Sequence, residues 1–75
     1  MIIEKKIIKT LKSVNKNINL DTNLSDQLDS IQFLNLIVEI EKNFKINIKE
    51  SEIKIFNFKN INNIKSLINE KIKKT

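Results

Sequence analysis

Neither glycine nor proline occurs anywhere in this chain of 75 residues, so the breaks between its elements must be made by clusters of Asn, Asp and Ser. Those clusters leave four pieces, three of them with helical periodicity. From Ile2 to about Asn15, the apolar residues Ile3, Ile7, Leu11 and Val14, with Ile8 beside them, recur on one side of a helix. Lys5, Lys9, Lys12 and Lys16 fall opposite, which is the pattern of a solvated face. A helix lying on a membrane surface would carry an aromatic anchor, and this one has none. The last helix is expected from about Ile61 to Lys73, with Ile61, Ile64, Ile68 and Ile72 on one face and Leu67 beside them. Asn60 is its expected cap. Lys71, Lys73 and Lys74 suit the negative end of its dipole.

The stretch from Asn17 to Leu28 is polar but punctuated by Ile18, Leu20, Leu24 and Leu28. It is long for a helix connection, and the spaced apolar residues predict that it packs across the bundle. After Phe44, the alternation of Ile46 and Ile48 looks strand-like but is too short for a sheet. Residues from Glu50 to Phe56 suit a short helical turn, with Phe56 and Phe58 expected to pack inward.

The central piece, Asp29 to Phe44, is the most informative. Asp29 is a good N-cap, and Gln32 completes a capping-box spacing. Phe33, Leu36, Ile37, Ile40 and Phe44 form an ordinary core face. Ile31, Leu34 and Val38 lie on a different side, flanked by Glu41 on one edge and by Asn35 and Lys42 on the other. A small bundle needs one buried face per helix, so this second stripe is surplus. Two readings follow: the stripe is an exposed docking surface in an acidic neighbourhood, or neighbouring elements cover the central helix on two sides.

Composition removes whole classes of chemistry. There is no Cys and no His, so disulfides, the usual zinc ligands and most nucleophilic dyads and triads are excluded. No constellation for an enzyme remains. The apolar runs are only a few residues long, far short of the roughly 20 needed to cross a bilayer. The string Met1-Ile2-Ile3-Glu4-Lys5-Lys6 is unlike a secretory signal, and a cytoplasmic location is expected. The net charge is +5, yet the segment from Asn17 to Glu41 holds no Lys and five acids: Asp21, Asp26, Asp29, Glu39 and Glu41. The charge therefore divides the molecule into an acidic face, which includes Glu39 and Glu41, and a basic back on which Lys5 and Lys9 are expected to be inert. All cations are Lys and the four aromatics are Phe at core-like spacing, which disfavours a nucleic-acid partner.

The string Leu28-Asp29-Ser30-Ile31-Gln32-Phe33-Leu34-Asn35-Leu36, continued by Ile40-Glu41 and by Phe44-Lys45-Ile46-Asn47-Ile48, resembles the phosphopantetheine-attachment region of acyl and peptidyl carrier proteins. In those families Asp-Ser-Leu opens the second helix, and a Leu-rich helix, a Glu and Phe-Gly-Ile-x-Ile follow. The resemblance covers nearly the whole chain. It implies one all-α domain over residues 1–75, a four-helix acyl-carrier-like bundle with three main helices, a short third helix and a long first loop.

The resemblance further implies 4'-phosphopantetheine, delivered from coenzyme A and covalently attached at Ser30, with Asp29 helping to hold the transferase's metal. The expected partners are a phosphopantetheinyl transferase, an acyl- or aminoacyl-loading ligase and downstream pathway enzymes, which would dock on Ile31, Leu34, Val38, Glu39 and Glu41. A monomer is expected. A serine on the first helical turn suits a phosphodiester, because unpaired N–H groups and the helix dipole stabilise the anion. Taken without its surroundings, Asp29-Ser30 is plain helix capping. Three features depart from the family: Lys45 replaces the usual Gly and removes an easy left-handed cap, no Gly precedes the site, and the overall charge is basic. Phe33 and the spacing from Phe56 to Ile61 are closer to peptidyl than to fatty-acid carriers, although the Pro-Thr pair common there is missing. A specialised pathway, such as nonribosomal peptide, secondary-metabolite or surface-polymer synthesis, is therefore expected over bulk fatty-acid synthesis. The rival is an unmodified helical module that binds a partner helix through Ile31, Leu34 and Val38.

Overall fold

A computed structural model describes residues 2–73; Met1 and Lys74, the latter expected in the last turn of the third helix, lie outside the described residues. Three α-helices carry the fold: α1 (Ile2–Val14), α2 (Ser30–Phe44) and α3 (Ile61–Lys73). Their bounds follow the expected periodic segments to within a residue or two. Among the described residues there is no strand, and no helix is long and apolar enough to cross a membrane. The short third helix is realised as two 3-10 turns, Glu50–Glu52 and Ile55–Phe58. The architecture is an all-α, acyl-carrier-like bundle.

The core is one cluster to which every piece contributes. Ile7 and Leu11 from α1, Leu36, Ile37 and Ile40 from α2, and Ile64, Leu67 and Ile68 from α3 are buried together. Ile18 and Leu24 of the long loop, Ile48 and Phe58 complete the cluster, so the polar stretch from Asn17 to Leu28 does pack across the bundle. Leu24 N–H donates to the Lys59 carbonyl at 2.8 Å, which seats the loop against the second 3-10 turn. Ile46 and Ile48 both turn inward, as residues two apart in extended backbone do, with no partner strand required.

Two inward expectations fail. Phe58 is fully buried, but Phe56 is 69% exposed. A 3-10 turn has about 3 residues per turn, so residues two apart point in directions roughly 120° apart and cannot share a face. Ile72, placed with the apolar face of α3, is 45% exposed at the far end of that stripe.

Polar contacts join the helices where the apolar pattern is interrupted. Thr10 is the one buried polar residue among those described. Its hydroxyl donates to the Lys6 carbonyl at 2.7 Å and accepts from Asn43 Nδ2 at 2.9 Å, linking α1 to α2. Lys65 Nζ meets Glu4 Oε1 at 2.7 Å, and Lys71 Nζ meets Glu52 Oε1 at 2.8 Å. The bonded lysine ammonium in each pair holds the carboxyl of Glu4 or Glu52 below its ordinary range. Pairs this close to solvent contribute little to stability.

The end of α2 is organised by Glu41. Its carbonyl accepts from the N–H groups of Lys45 and Ile46, and its carboxylate Oε2 accepts from Ile48 N–H at 2.9 Å. Lys45 adopts the left-handed conformation, φ 54° and ψ 48°, so the chain makes the cap that a glycine would make more easily. The Cβ of Lys45 costs about 1–2 kcal/mol there.

Four stability measurements by chemical denaturation follow. Leu36→Ala removes a fully buried side chain and should cost about 2–5 kcal/mol; Phe44, on the same face but half-buried, should cost less on truncation. Lys45→Gly should stabilise by about 0.5–1 kcal/mol, because relief of the left-handed strain exceeds the entropy cost of glycine; a net loss would contradict the assigned cap. Glu41→Ala leaves the Ile48 N–H without its acceptor and should cost about 1–3 kcal/mol.

Candidate functional site

The local sequence fixes the start of α2 from both sides. Asp29 has extended backbone, φ −78° and ψ 177°. Its Oδ1 accepts from Gln32 N–H at 2.8 Å, and Gln32 Oε1 accepts from Asp29 N–H at 3.2 Å. The expected capping box is therefore complete. The cap occupies only one carboxylate oxygen of Asp29, and the residue is exposed.

Ser30 follows as the first residue of α2, exposed, its hydroxyl engaged in no hydrogen bond. The N–H groups of Ser30 and Ile31 have no acceptor, whereas those of Gln32 and Phe33 are taken by Asp29. A phosphodiester at Ser30 would meet free donors at the positive end of a helix of 15 residues. The residues present thus fit a covalently attached phosphate arm: a free nucleophilic oxygen, open donors and an uncommitted acidic oxygen beside them.

The approach to this corner depends on a residue that the sequence did not single out. Gln27 Nε2 donates to the Asn19 carbonyl at 2.8 Å, Thr22 Oγ1 at 2.9 Å and the Asn23 carbonyl at 3.2 Å. Gln27 Oε1 accepts from Asn19 N–H at 2.6 Å, and the Gln27 carbonyl accepts from Asn15 Nδ2 at 3.2 Å. One side chain thereby gathers the long loop two residues before Asp29. Loop glutamines leave no periodic signal, so only the cluster of Asn and Thr around it hints at this role.

Beside Ser30 lies a shallow cleft of about 290 Å³, lined by Ser25, Leu28, Asp29, Ser30, Phe33 and Ile55. Phe33, one helical turn after Ser30, sets its ring edge-to-face on Phe58, with centroids 5.2 Å apart and planes at 81°. The sequence pointed to Phe33 as a core residue; Leu28 and Ile55 as cleft walls were missed, because Ile55 arrives from a turn 25 residues away in the chain.

The surplus stripe is not covered. Ile31, Leu34 and Val38 are 71%, 60% and 56% exposed, which decides against the reading in which neighbouring elements shield the central helix on two sides. The two acids assigned to the same surface are separated. At about 100° per residue, Glu39 and Glu41 leave α2 roughly 160° apart. Glu41 flanks the stripe and is also bonded to Ile48, whereas Glu39 lines a groove between α1 and α2 with Lys6, Lys9, Thr10, Ser13 and Asn43. The expected division into an acidic front and an inert basic back is thus blurred along that groove: Lys9 of the lysine stripe stands in it with Glu39. Lys6 reaches over the Phe44 ring, 5.5 Å from its centroid. Among the described residues no cluster of acids suits a metal ion.

No curated protein and no solved structure matches the chain. A family model does: the phosphopantetheine attachment site, over residues 2–68. That span covers all three helices up to the last turns of α3, and it contains the serine after the Asp29 cap, the cleft and the exposed stripe. The family's cofactor is covalent 4'-phosphopantetheine, and its domains are carriers. This chain belongs to the phosphopantetheine-attachment family.

Proposed function

We propose that Ser30 is the attachment residue and that the chain carries an acyl or aminoacyl group among the enzymes of a specialised pathway, catalysing nothing by itself. One observation carries the reading: an exposed serine hydroxyl without a hydrogen bond stands on the first turn of α2, beside open N–H donors and the aspartate that caps the helix. In the attachment step Ser30 Oγ attacks the β-phosphorus of coenzyme A. A phosphodiester bond forms, the phosphoanhydride bond breaks, 3',5'-ADP leaves, and the hydroxyl proton passes to a base on the transferase. Asp29 holds its cap through Oδ1 while its second oxygen stays available for the transferase's magnesium. When bound, the arm supplies the terminal thiol on which the acyl group travels.

The role of this chain's own residues is presentation. Ile31, Leu34 and Val38 give a partner enzyme an apolar contact along α2, starting directly beside Ser30. Glu41 at the stripe's edge and Glu39 in the neighbouring groove add negative charge that speeds encounter with a basic partner. The open strip also supports the rival reading of an unmodified module that binds a partner helix; that reading gives the free hydroxyl of Ser30 no task.

Intact mass after incubation with coenzyme A and a broad-specificity phosphopantetheinyl transferase tests the proposal. Wild type should gain one phosphopantetheine and Ser30→Ala none. A folded wild type left unmodified by several such transferases would favour the rival module. In the same assay Val38→Asp should slow the initial transfer rate at both low and high salt. Glu39→Lys should slow it mainly at low salt, where charge steering acts.

A further inference from the structure

We propose that the Phe33–Phe58 pair closes the bundle interior to cargo, and that the cleft beside Ser30 seats the near end of the arm, so that this carrier takes short or polar acyl groups held in solvent. The inference rests on the reading of Ser30 as the attachment residue.

An arm leaving Ser30 meets Phe33 first, because residues three apart on a helix are neighbours on its surface. The Phe33 ring is braced edge-on against Phe58, which is fully buried. In the same cluster as Phe58, against which Phe33 packs, Leu24, Leu36, Ile40, Ile64 and Ile68 have no exposed surface at all. A guest chain inside would have to rotate Phe33 away from its partner and then part a close-packed core, in which even one added methylene is felt.

The cleft itself offers a shallower place. Leu28, Phe33 and Ile55 give it apolar walls, and Ser25, Asp29 and Ser30 give it a polar rim. Ile55 is largely exposed, so docking a small apolar group against it covers surface that now faces water. The segment of the arm next to the phosphate is branched and methyl-bearing, which suits an apolar cleft starting at Ser30 itself. A group farther along the arm finds, beyond the cleft, core side chains that are already fully buried against one another. Short acyl chains and polar ones, aminoacyl groups included, lose least by staying in water.

The test loads the full chain with acetyl-, hexanoyl- and decanoyl-phosphopantetheine from the corresponding coenzyme A thioesters. It then measures melting temperature, the rate of thioester cleavage by hydroxylamine, and amide and methyl NMR shifts. In wild type the three loaded forms should melt within about 2 °C of one another and be cleaved at closely similar rates. Shifts on loading should be confined to the cleft, at Leu28, Phe33 and Ile55, and absent at Ile64 and Ile68. Phe33→Ala should let the decanoyl chain in: its loaded form should melt above the acetyl form and be cleaved more slowly. Phe33→Leu, which preserves more packing, should move in the same direction and replaces the alanine variant if that one unfolds. A wild-type decanoyl form with a raised melting temperature, slowed cleavage and shifts at Ile64 would overturn the proposal, as would Phe33 variants that leave the decanoyl form unchanged. Wild type that gains no mass from any donor would overturn the attachment reading, and the cargo assignment with it; failure of the cargo assignment alone shows normal loading with chain-length-dependent protection.

Discussion

Leu36 and Ile40 lie fully buried on the inner face of α2, and both ends of that helix are fixed so that they stay there. At the start, Asp29 and Gln32 exchange hydrogen bonds and set the first turn. At the end, Glu41 gathers the N–H groups of Lys45, Ile46 and Ile48 with its carbonyl and carboxylate. Because the register of α2 is held at both ends, Phe33 must meet Phe58 and Ser30 must stand at the exposed corner above it. The chemistry of the corner is thus a consequence of how the central helix is anchored.

The same helix explains why the molecule has an outward-facing apolar strip. One face of α2 suffices for the core, yet Ile31, Leu34 and Val38 add a second at an exposure that a lone soluble helix bundle has no need of. Phe56 and Ile55 add further uncovered apolar surface on the 3-10 turn whose partner residue Phe58 lies inside. These residues contribute nothing to the core, so they fit a protein whose work is transient contact with others, each encounter burying what the isolated domain leaves in water. In the carrier reading proposed above, function lies in presentation, with Ser30 standing at the edge of a core whose central residues are fully buried.

Charge is arranged with less separation than the linear sequence suggests. Asp26 and Asp29 near Ser30 are exposed, but Glu39 and Glu41 are half-buried: Glu41 holds the loop after α2, and Glu39 shares a groove with Lys6 and Lys9. Glu41 therefore has a structural task at the end of α2, and the encounter role proposed for it has to be measured apart from that task.

The sequence by itself determined the helices and the capped start of α2. The periods of Ile3–Val14, Phe33–Phe44 and Ile61–Ile68 are local properties, as is the Asp29–Gln32 cap, and each is written in residues three or four apart. Only the tertiary structure decided which apolar residues stay outside. Ile31 and Leu36 are equally apolar, and Phe56 is as hydrophobic as Phe58; what separates them is which direction the packed neighbours occupy. Contacts between distant segments were likewise invisible in the linear string: Leu24 to Lys59, Thr10 to Asn43, Ile55 beside Ser30. They join residues that no spacing rule connects, because the distance between them is set by how the bundle closes. Lys45 marks the boundary between the two kinds of information: its sequence argued against a left-handed turn, and the packing of Ile46 and Ile48 imposed one.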